Sequence, residues 1–244
     1  MIMAEFKLPT ETVSLPSKGL LYPEDNPLSS GKVEMKYMTA KEEDILTNQA
    51  YIADGTVFDR LFKSLIVSDV NYDDLLIGDK NAILVAARIL GYGKDYKFTL
   101  GGEDFEVDLS LLKEKEIDES IYTKGVNKFS FTLPASNTTV VFKILTHRDE
   151  ENIRKEIDSY KKISKDTSPE VTTRLKHTIV SVDGKEDKKS IRDFVDNYLL
   201  ARDARALREH VRQIQPDIDL TFFPNNSESR IDIPIGLTFF WPNT

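Results

Sequence analysis

Cysteine is absent from this 244-residue chain. That one absence removes disulfides, thiol nucleophiles and every thiolate zinc site, and it fits a reducing compartment. Histidine is nearly as scarce, with three residues, His147, His177 and His210, none of them at helical spacing from a second one. A catalytic histidine also needs a nucleophile and an orienting partner. His147 instead stands beside Asp149, Glu150 and Glu151, where acids complement a helix start. No Gly-x-Ser-x-Gly elbow occurs, and Gly91-Tyr92-Gly93 lacks the third glycine or lysine of a phosphate-binding loop. Asp69, Asp73 and Asp74 lack the glycine and terminal glutamate of a calcium loop. No uninterrupted apolar stretch reaches bilayer-spanning length, and no charged start leads into the apolar run of a signal peptide. The expectation is a non-enzyme with no catalytic residue, no metal ligand, no cofactor and no membrane partner.

What is present is ordinary globular material. Hydrophobic residues make up 40% and charged residues 30% of the chain, enough to bury a substantial core. The net charge of −8 disfavours nucleic acid and anionic lipid as partners, because a nucleic-acid footprint is normally basic.

Pro16 and Pro23 restrict the residues before them to extended backbone, so residues 1–31 read as an extended N-terminal arm. Its apolar residues Leu15, Leu20, Leu21 and Tyr22 follow neither helical nor strand periodicity. They read equally well as packed on their own domain or as a segment that docks into a partner. Val33, Met35 and Tyr37 then alternate with polar residues as a half-buried strand does. Thr39 with Glu42 is a capping box at a helix start. Thr56 is a candidate N-cap for a helix with Phe58, Leu61, Phe62 and Leu65 on one face. The most apolar helix covers 79–90, apolar around most of its circumference and therefore central, with Gly91 and Gly93 as its stop. Tyr96, Phe98 and Leu100 pair with Phe105, Val107 and Leu109 across Gly101-Gly102-Glu103-Asp104 in a hairpin. Phe129, Phe131 and Leu133 pair with Val140, Phe142 and Ile144 in a second.

Residues 148–163 form a charged helix whose Glu150–Arg154, Glu151–Lys155 and Asp158–Lys162 pairs lie at i,i+4. Ser168-Pro169 opens the next helix, and Val182-Asp183-Gly184-Lys185 is a turn. Ser190 and Asp203 are N-caps of two tandem helices, the second ended by Pro216. Tyr198, Arg202, Arg205, Arg208 and Arg212 gather on these helices. That set reads as a solvated face, or as a surface for an acidic partner. Residues 218–241 look β-like, and Phe239-Phe240-Trp241 reads as a core strand or as interface anchors.

The fold class is α+β: a helical core with two or three β-hairpins. Its divisions are 1–31, the arm; 32–126, the helical core with the first hairpin; 127–177, a hairpin plus charged helix, possibly inserted; and 178–244, the tandem helices and C-terminal aromatic segment. Candidate partner-binding residues are Leu15, Leu20, Leu21, Tyr22, Phe239, Phe240 and Trp241.

One resemblance reaches beyond this. The order Ser17-Lys18-Gly19-x-x-Tyr22, then Gly31-x-Val33-x-Met35-Lys36-x-Met38-Thr39-x-x-Glu42-Glu43, resembles the opening of the bacteriophage T4 baseplate hub assembly protein family. The similar hairpins at 96–109 and 218–235 and the closing Phe239-Phe240-Trp241-Pro242 support the match. The resemblance implies a tail-morphogenesis protein of contractile-tailed phages. It would work in the host cytoplasm, or within the virion baseplate, through contacts with hub or tape-measure proteins. In that family the hairpin tips can carry the paired cysteines of a zinc ribbon. Here they carry none, so a cysteine-free zinc-ribbon-like module would rest on Phe98, Phe105, Phe222, Phe223 and Ile231. The alternative is a nucleic-acid-associated module derived from such a ribbon.

Overall fold

The computed structural model describes residues 8–163, 168–224 and 230–240. The chain opens with β1 (Thr10–Ser14), which pairs antiparallel with β2 (Lys32–Lys36) in the register Val13↔Val33. The extended arm expected over 1–31 is therefore half of a hairpin with a long, folded connection. Lys18 and Gly19 both take positive φ, at 51° and 76°. At Gly19 an added Cβ would run into the carbonyl of Ser29, so only glycine fits. Asn26 accepts a hydrogen bond from the Leu28 amide (3.0 Å) and starts a short 3-10 turn, Pro27–Ser30.

The alternation read for β2 holds, with Val33 and Met35 buried and the polar residues between them exposed or half-buried. The capping box also holds. The Thr39 amide and hydroxyl both donate to Glu42 (2.9 and 2.6 Å), starting α1 (Ala40–Thr47). A short α2 (Gln49–Ala53) leads to α3 (Val57–Leu65), which buries Leu61, Phe62 and Leu65. Thr56 stands at its N-cap position without a side-chain cap bond. The central helix is α4 (Ile77–Tyr92), buried through Ala82, Ile83, Leu84, Val85 and Ala87. Gly91 remains inside it, and Gly93 at φ 82° ends it.

The first hairpin is β3 (Asp95–Leu100) with β4 (Glu103–Asp108). Its turn is shorter than the four residues expected. Gly101 and Gly102 both take positive φ, and Leu100 pairs directly with Glu103. The second, β5 (Phe129–Thr132) with β6 (Thr139–Phe142), has Phe131 opposite Val140. It gains a third strand, β7 (Ile179–Val182), on β6. A boundary at 177 therefore cuts through a sheet, and the buried apolar residues of all four divisions form one core.

Between β6 and β7 lie α5 (His147–Ile163) and α6 (Glu170–Thr178). Their charges pair across helices more than along one. Glu150 meets Arg174, and Glu156 meets Arg192 (2.8 Å) and His177 (3.0 Å). Arg154 pairs with Glu151 at i,i+3 instead of Glu150 at i,i+4. Pro169 takes the N-cap position of α6, and Ser168 donates to Glu170 (3.0 Å). The tandem helices are α7 (Lys188–Asn197) and α8 (Ala201–Ile214). Asp187, not Ser190, caps α7, accepting from the Ser190 amide (2.9 Å). Asp203 is no cap either. It is wholly buried in the first turn of α8, and its two oxygens accept the amides of Ala135 and Ser136 (2.8 and 3.0 Å) in the β5–β6 turn.

The C-terminal segment is less regular than expected. β8 (Thr221–Phe222) and β9 (Ile231–Asp232) have two residues each, and Leu237–Phe240 is a 3-10 turn. The two hairpins do meet: the ring of Phe222 lies 5.7 Å from Phe98 and 5.6 Å from Phe105, edge to face. Phe223 stays largely outside this cluster, with Arg230 over its ring. The architecture is thus α+β with small antiparallel sheets.

Asp203→Ala strands two buried amides, and each orphaned donor costs about 1–3 kcal/mol. Chemical unfolding monitored by circular dichroism should show a loss of about 2 kcal/mol or more, and an unchanged midpoint would contradict the role given to Asp203.

Candidate functional site

The motif residues of the N-terminal loop converge on a single carboxylate. Asp79, in the first turn of α4, is fully buried. It accepts the Ser17 amide (2.9 Å), the Ser17 hydroxyl (2.7 Å) and the Tyr22 hydroxyl (2.6 Å). The Tyr22 oxygen in turn accepts the Leu76 amide (2.9 Å), so the loop also caps the helix it sits on. Burial pushes the Asp79 carboxyl up to about 6, against the pull of its donors on Tyr22 and Ser17. Burial, reinforced by Asp79, pushes the Tyr22 phenol well above its ordinary value, so it stays a donor.

A second buried ion holds the other end of the chain. Arg88, 1% exposed on α4, has backbone carbonyls and no carboxylate around it. Its guanidinium donates to Phe239 (2.7 Å), Gly93 (2.6 Å) and Asp95 (3.1 Å), tying the C-terminal turn to the end of α4 and the start of β3. Phe239 also packs edge to face on Tyr96 at 4.8 Å.

These contacts place the candidate binding residues inside the protein. Leu15, Leu21 and Tyr22 are 1–3% exposed, and Phe239 and Phe240 are at 0%. Leu20 is half-buried, and Trp241 lies outside the described residues. Neither the loop nor the aromatic end is presented to a partner in this conformation. Both lack helical or strand period because they are turns, whose apolar residues are buried by polar anchors far away in sequence.

A polar cluster joins α3, α4 and α5. Lys80 donates to Asp59 (2.8 Å) and lies 3.0 Å from His147 Nδ1, while Tyr72 donates to Asp59 (2.8 Å). Burial and the neighbouring Lys80 ammonium push His147 below its ordinary value. Burial raises the Asp59 carboxyl, but Lys80 and Tyr72 outweigh it and hold it low. Asp59, His147 and Glu151 bring ligand atoms within 4.8 Å of one another. The Lys80 ammonium, however, already supplies the positive charge at Asp59 and His147, so a cation there would meet a like charge. The cluster's donors and acceptors are matched to each other, the arrangement of a structural network. His177 pairs with Glu156, and His210 stacks on Phe131 at 4.5 Å.

The largest cavity is an open groove of about 830 Å³ between α6, α8 and residues 215–221. Its apolar floor comes from Leu145, Leu175, Leu207, Val211, Ile218 and Leu220. Around its rim stand Lys115, Arg174, Arg208, Arg212 and Arg230. Lys115 lies over the last carbonyls of α8, bonded to Arg212 and Gln215. Arg174 pairs with Glu150, Arg212 with Glu209, and Arg230 with Asp219 (3.5 Å). Arg208 reaches only the carbonyl of Ala204 (3.2 Å), one turn back on its own helix. The gathering of arginines on α8 was visible in the sequence; the apolar floor was not, because it is drawn from five separate elements.

No helix among the described residues is long and apolar enough to cross a membrane. Comparison with protein-family models, curated proteins and solved structures found no match.

Two outcomes follow for the buried ions. The folded-state pKa of Asp79 lies above its unfolded value near 3.8, so its contribution is fully present below pH 3.8 and lost as pH rises through about 6. Relative to Asp79→Asn, wild type should gain up to about 3 kcal/mol on acidification across that window; a pH-independent difference in unfolding free energy would refute it. Arg88→Met should release the C-terminal turn and cost about 3 kcal/mol, read as a lowered unfolding midpoint and early proteolytic loss of the chain end. An unchanged digestion pattern would count against that clamp.

Proposed function

We propose that this protein is a non-enzymatic tail-assembly factor of a contractile-tailed phage, acting at the baseplate hub through protein–protein contacts. What carries the reading is the resemblance of Ser17-Lys18-Gly19-x-x-Tyr22 and Gly31 through Glu43 to the bacteriophage T4 baseplate hub assembly protein family. The fold supports it by giving those residues linked duties. Ser17 and Tyr22 meet on Asp79, Gly19 permits the turn between them, and Thr39 and Glu42 close the capping box. Residues tied together in this way form one framework, which is what a shared fold would retain.

The non-enzymatic half of the reading rests on how the chemistry-bearing groups are used. Asp59, Lys80, Tyr72 and His147 satisfy one another, and Asp79 and Arg88 are sealed inside. The open groove beside α8, apolar below and cationic at the edge, is the surface we assign to protein contact. The partners are hub or tape-measure proteins, met in the host cytoplasm, with the protein then released as a chaperone or kept as a minor hub subunit. We read the two facing hairpins as a ribbon-like module in which Phe98, Phe105 and Phe222 take the place of a metal.

Mass spectrometry of purified virions, alongside affinity capture of the tagged protein from infected cells, tests this. Capture of hub or tape-measure proteins is expected. A low, fixed ratio to baseplate proteins in virions would then mark a minor hub subunit, and absence from virions would mark a chaperone. Capture of no tail protein, with none of the chain in virions, would overturn the reading.

A further inference from the structure

We infer that the groove along α8 receives an acidic amphipathic helix of a partner protein, its apolar side on the floor and its carboxylates along the arginine edge. The inference deepens the assignment of that groove to protein contact. Its test uses purified components only, so it can fail while the tail reading stands, and the reverse.

The electrostatics select the partner's charge. The chain carries a net −8, yet Arg202, Arg205 and Arg208 are exposed on α8 and form no ion pair among the described residues. At about 100° per residue, Arg205, Arg208 and Arg212 fall within about 60° of one another on the helix. They make a single positive stripe on an otherwise acidic protein. The other rim cations are committed: Lys115 to the end of α8, Arg174 to Glu150 and Arg230 to Asp219. The unpaired charge is therefore confined to one side of the groove.

The floor selects the partner's shape. On the same geometry Val211 lies about 60° from Arg208, and Leu207 follows it toward the groove. The positive stripe and the apolar floor thus run side by side along the 14 residues of α8. A ligand that satisfies both must carry an apolar row flanked by a row of acids over several turns, which an amphipathic helix does at i, i+3, i+4 and i+7. A small molecule would fill part of the floor and leave most of the stripe unused. A nucleic acid would answer the stripe but leave the aliphatic floor uncovered.

The test is fluorescence anisotropy of the full chain with a labelled amphipathic peptide bearing a leucine face and a glutamate face. A peptide with lysine in place of glutamate and a labelled single-stranded oligodeoxynucleotide complete the set. The glutamate peptide should bind, weaken as salt rises, and bind at least about tenfold more tightly than the lysine peptide. Arg208→Glu should weaken it about tenfold or more. Arg208 is exposed and outside the core, so its replacement leaves the fold intact, which circular dichroism checks. Val211→Asp gives an independent loss through the floor. The inference is overturned if neither peptide binds at millimolar concentration, or if both bind alike. It is equally overturned if Arg208→Glu and Val211→Asp leave binding unchanged, or if the oligodeoxynucleotide alone responds.

Discussion

The carboxylate of Asp79 is the point on which the N-terminal third of the molecule closes. A buried carboxylate is costly unless its oxygens are met by donors, and here three donors come from Ser17 and Tyr22. Those two residues are five apart in a loop that could otherwise take many paths. Once both bond to Asp79, the connection from β1 to β2 has one geometry. Leu15, Leu21 and Tyr22 are drawn down onto the core in consequence. The hydrophobic effect supplies the magnitude of that burial, but it is non-directional and does not choose the loop's path. Direction comes from the polar anchor.

Arg88 plays the matching part at the other end with opposite chemistry. Its planar guanidinium spans three carbonyls from three places in the chain: the end of α4, the start of β3 and the C-terminal turn. Asp79 and Arg88 are nine residues apart on one helix, so α4 carries both terminal locks as well as the apolar centre of the core. Asp203 repeats the device on α8, where a buried carboxylate holds the β5–β6 turn by its amides. In each case a charged side chain is satisfied by neutral backbone or hydroxyl groups. Such sites tolerate little rearrangement, because a shifted donor leaves a buried charge exposed to low dielectric.

This pattern explains what the sequence made legible. Val33 and Met35 in β2, the Leu61–Phe62–Leu65 face of α3 and the hairpin of Phe98 and Phe105 follow local periods, and short-range pattern reports them directly. The Thr39–Glu42 box is equally local, with both partners inside one helical turn. The three locks are not local. Asp79 lies 62 residues from Ser17, Arg88 lies 151 from Phe239, and Asp203 lies 68 from Ala135. At Asp203 the local cap signature even pointed the wrong way, since an aspartate near a helix start suits a cap as well as it suits a long-range contact. The pairing of Glu150 with Arg174 and of Glu156 with Arg192 went unseen for the same reason. An i,i+4 rule cannot register a second helix packed alongside. The candidate binding residues were misplaced by a related ambiguity: aperiodic apolar residues suit an exposed arm and a buried turn alike.

With both chain ends locked inward, any contact with a partner must be made by surface that the fold leaves unsatisfied. Paired charges do not mark such surface, since each exposed pair contributes little and has no further need of a ligand. By that criterion Lys115, Arg174 and Arg230 are neutral parts of the groove wall. What distinguishes α8 is asymmetry: guanidinium groups without carboxylates on one side, aliphatic side chains on the other, along a single rigid helix. Within a Debye length of about 8 Å at physiological salt, such a stripe favours approach from one direction and one polarity. The apolar floor then rewards only a ligand that arrives in that orientation. A helix edge of this kind discriminates among partners by charge pattern before any close packing forms, and the packing against Val211 and Leu207 decides which of the acidic candidates stays.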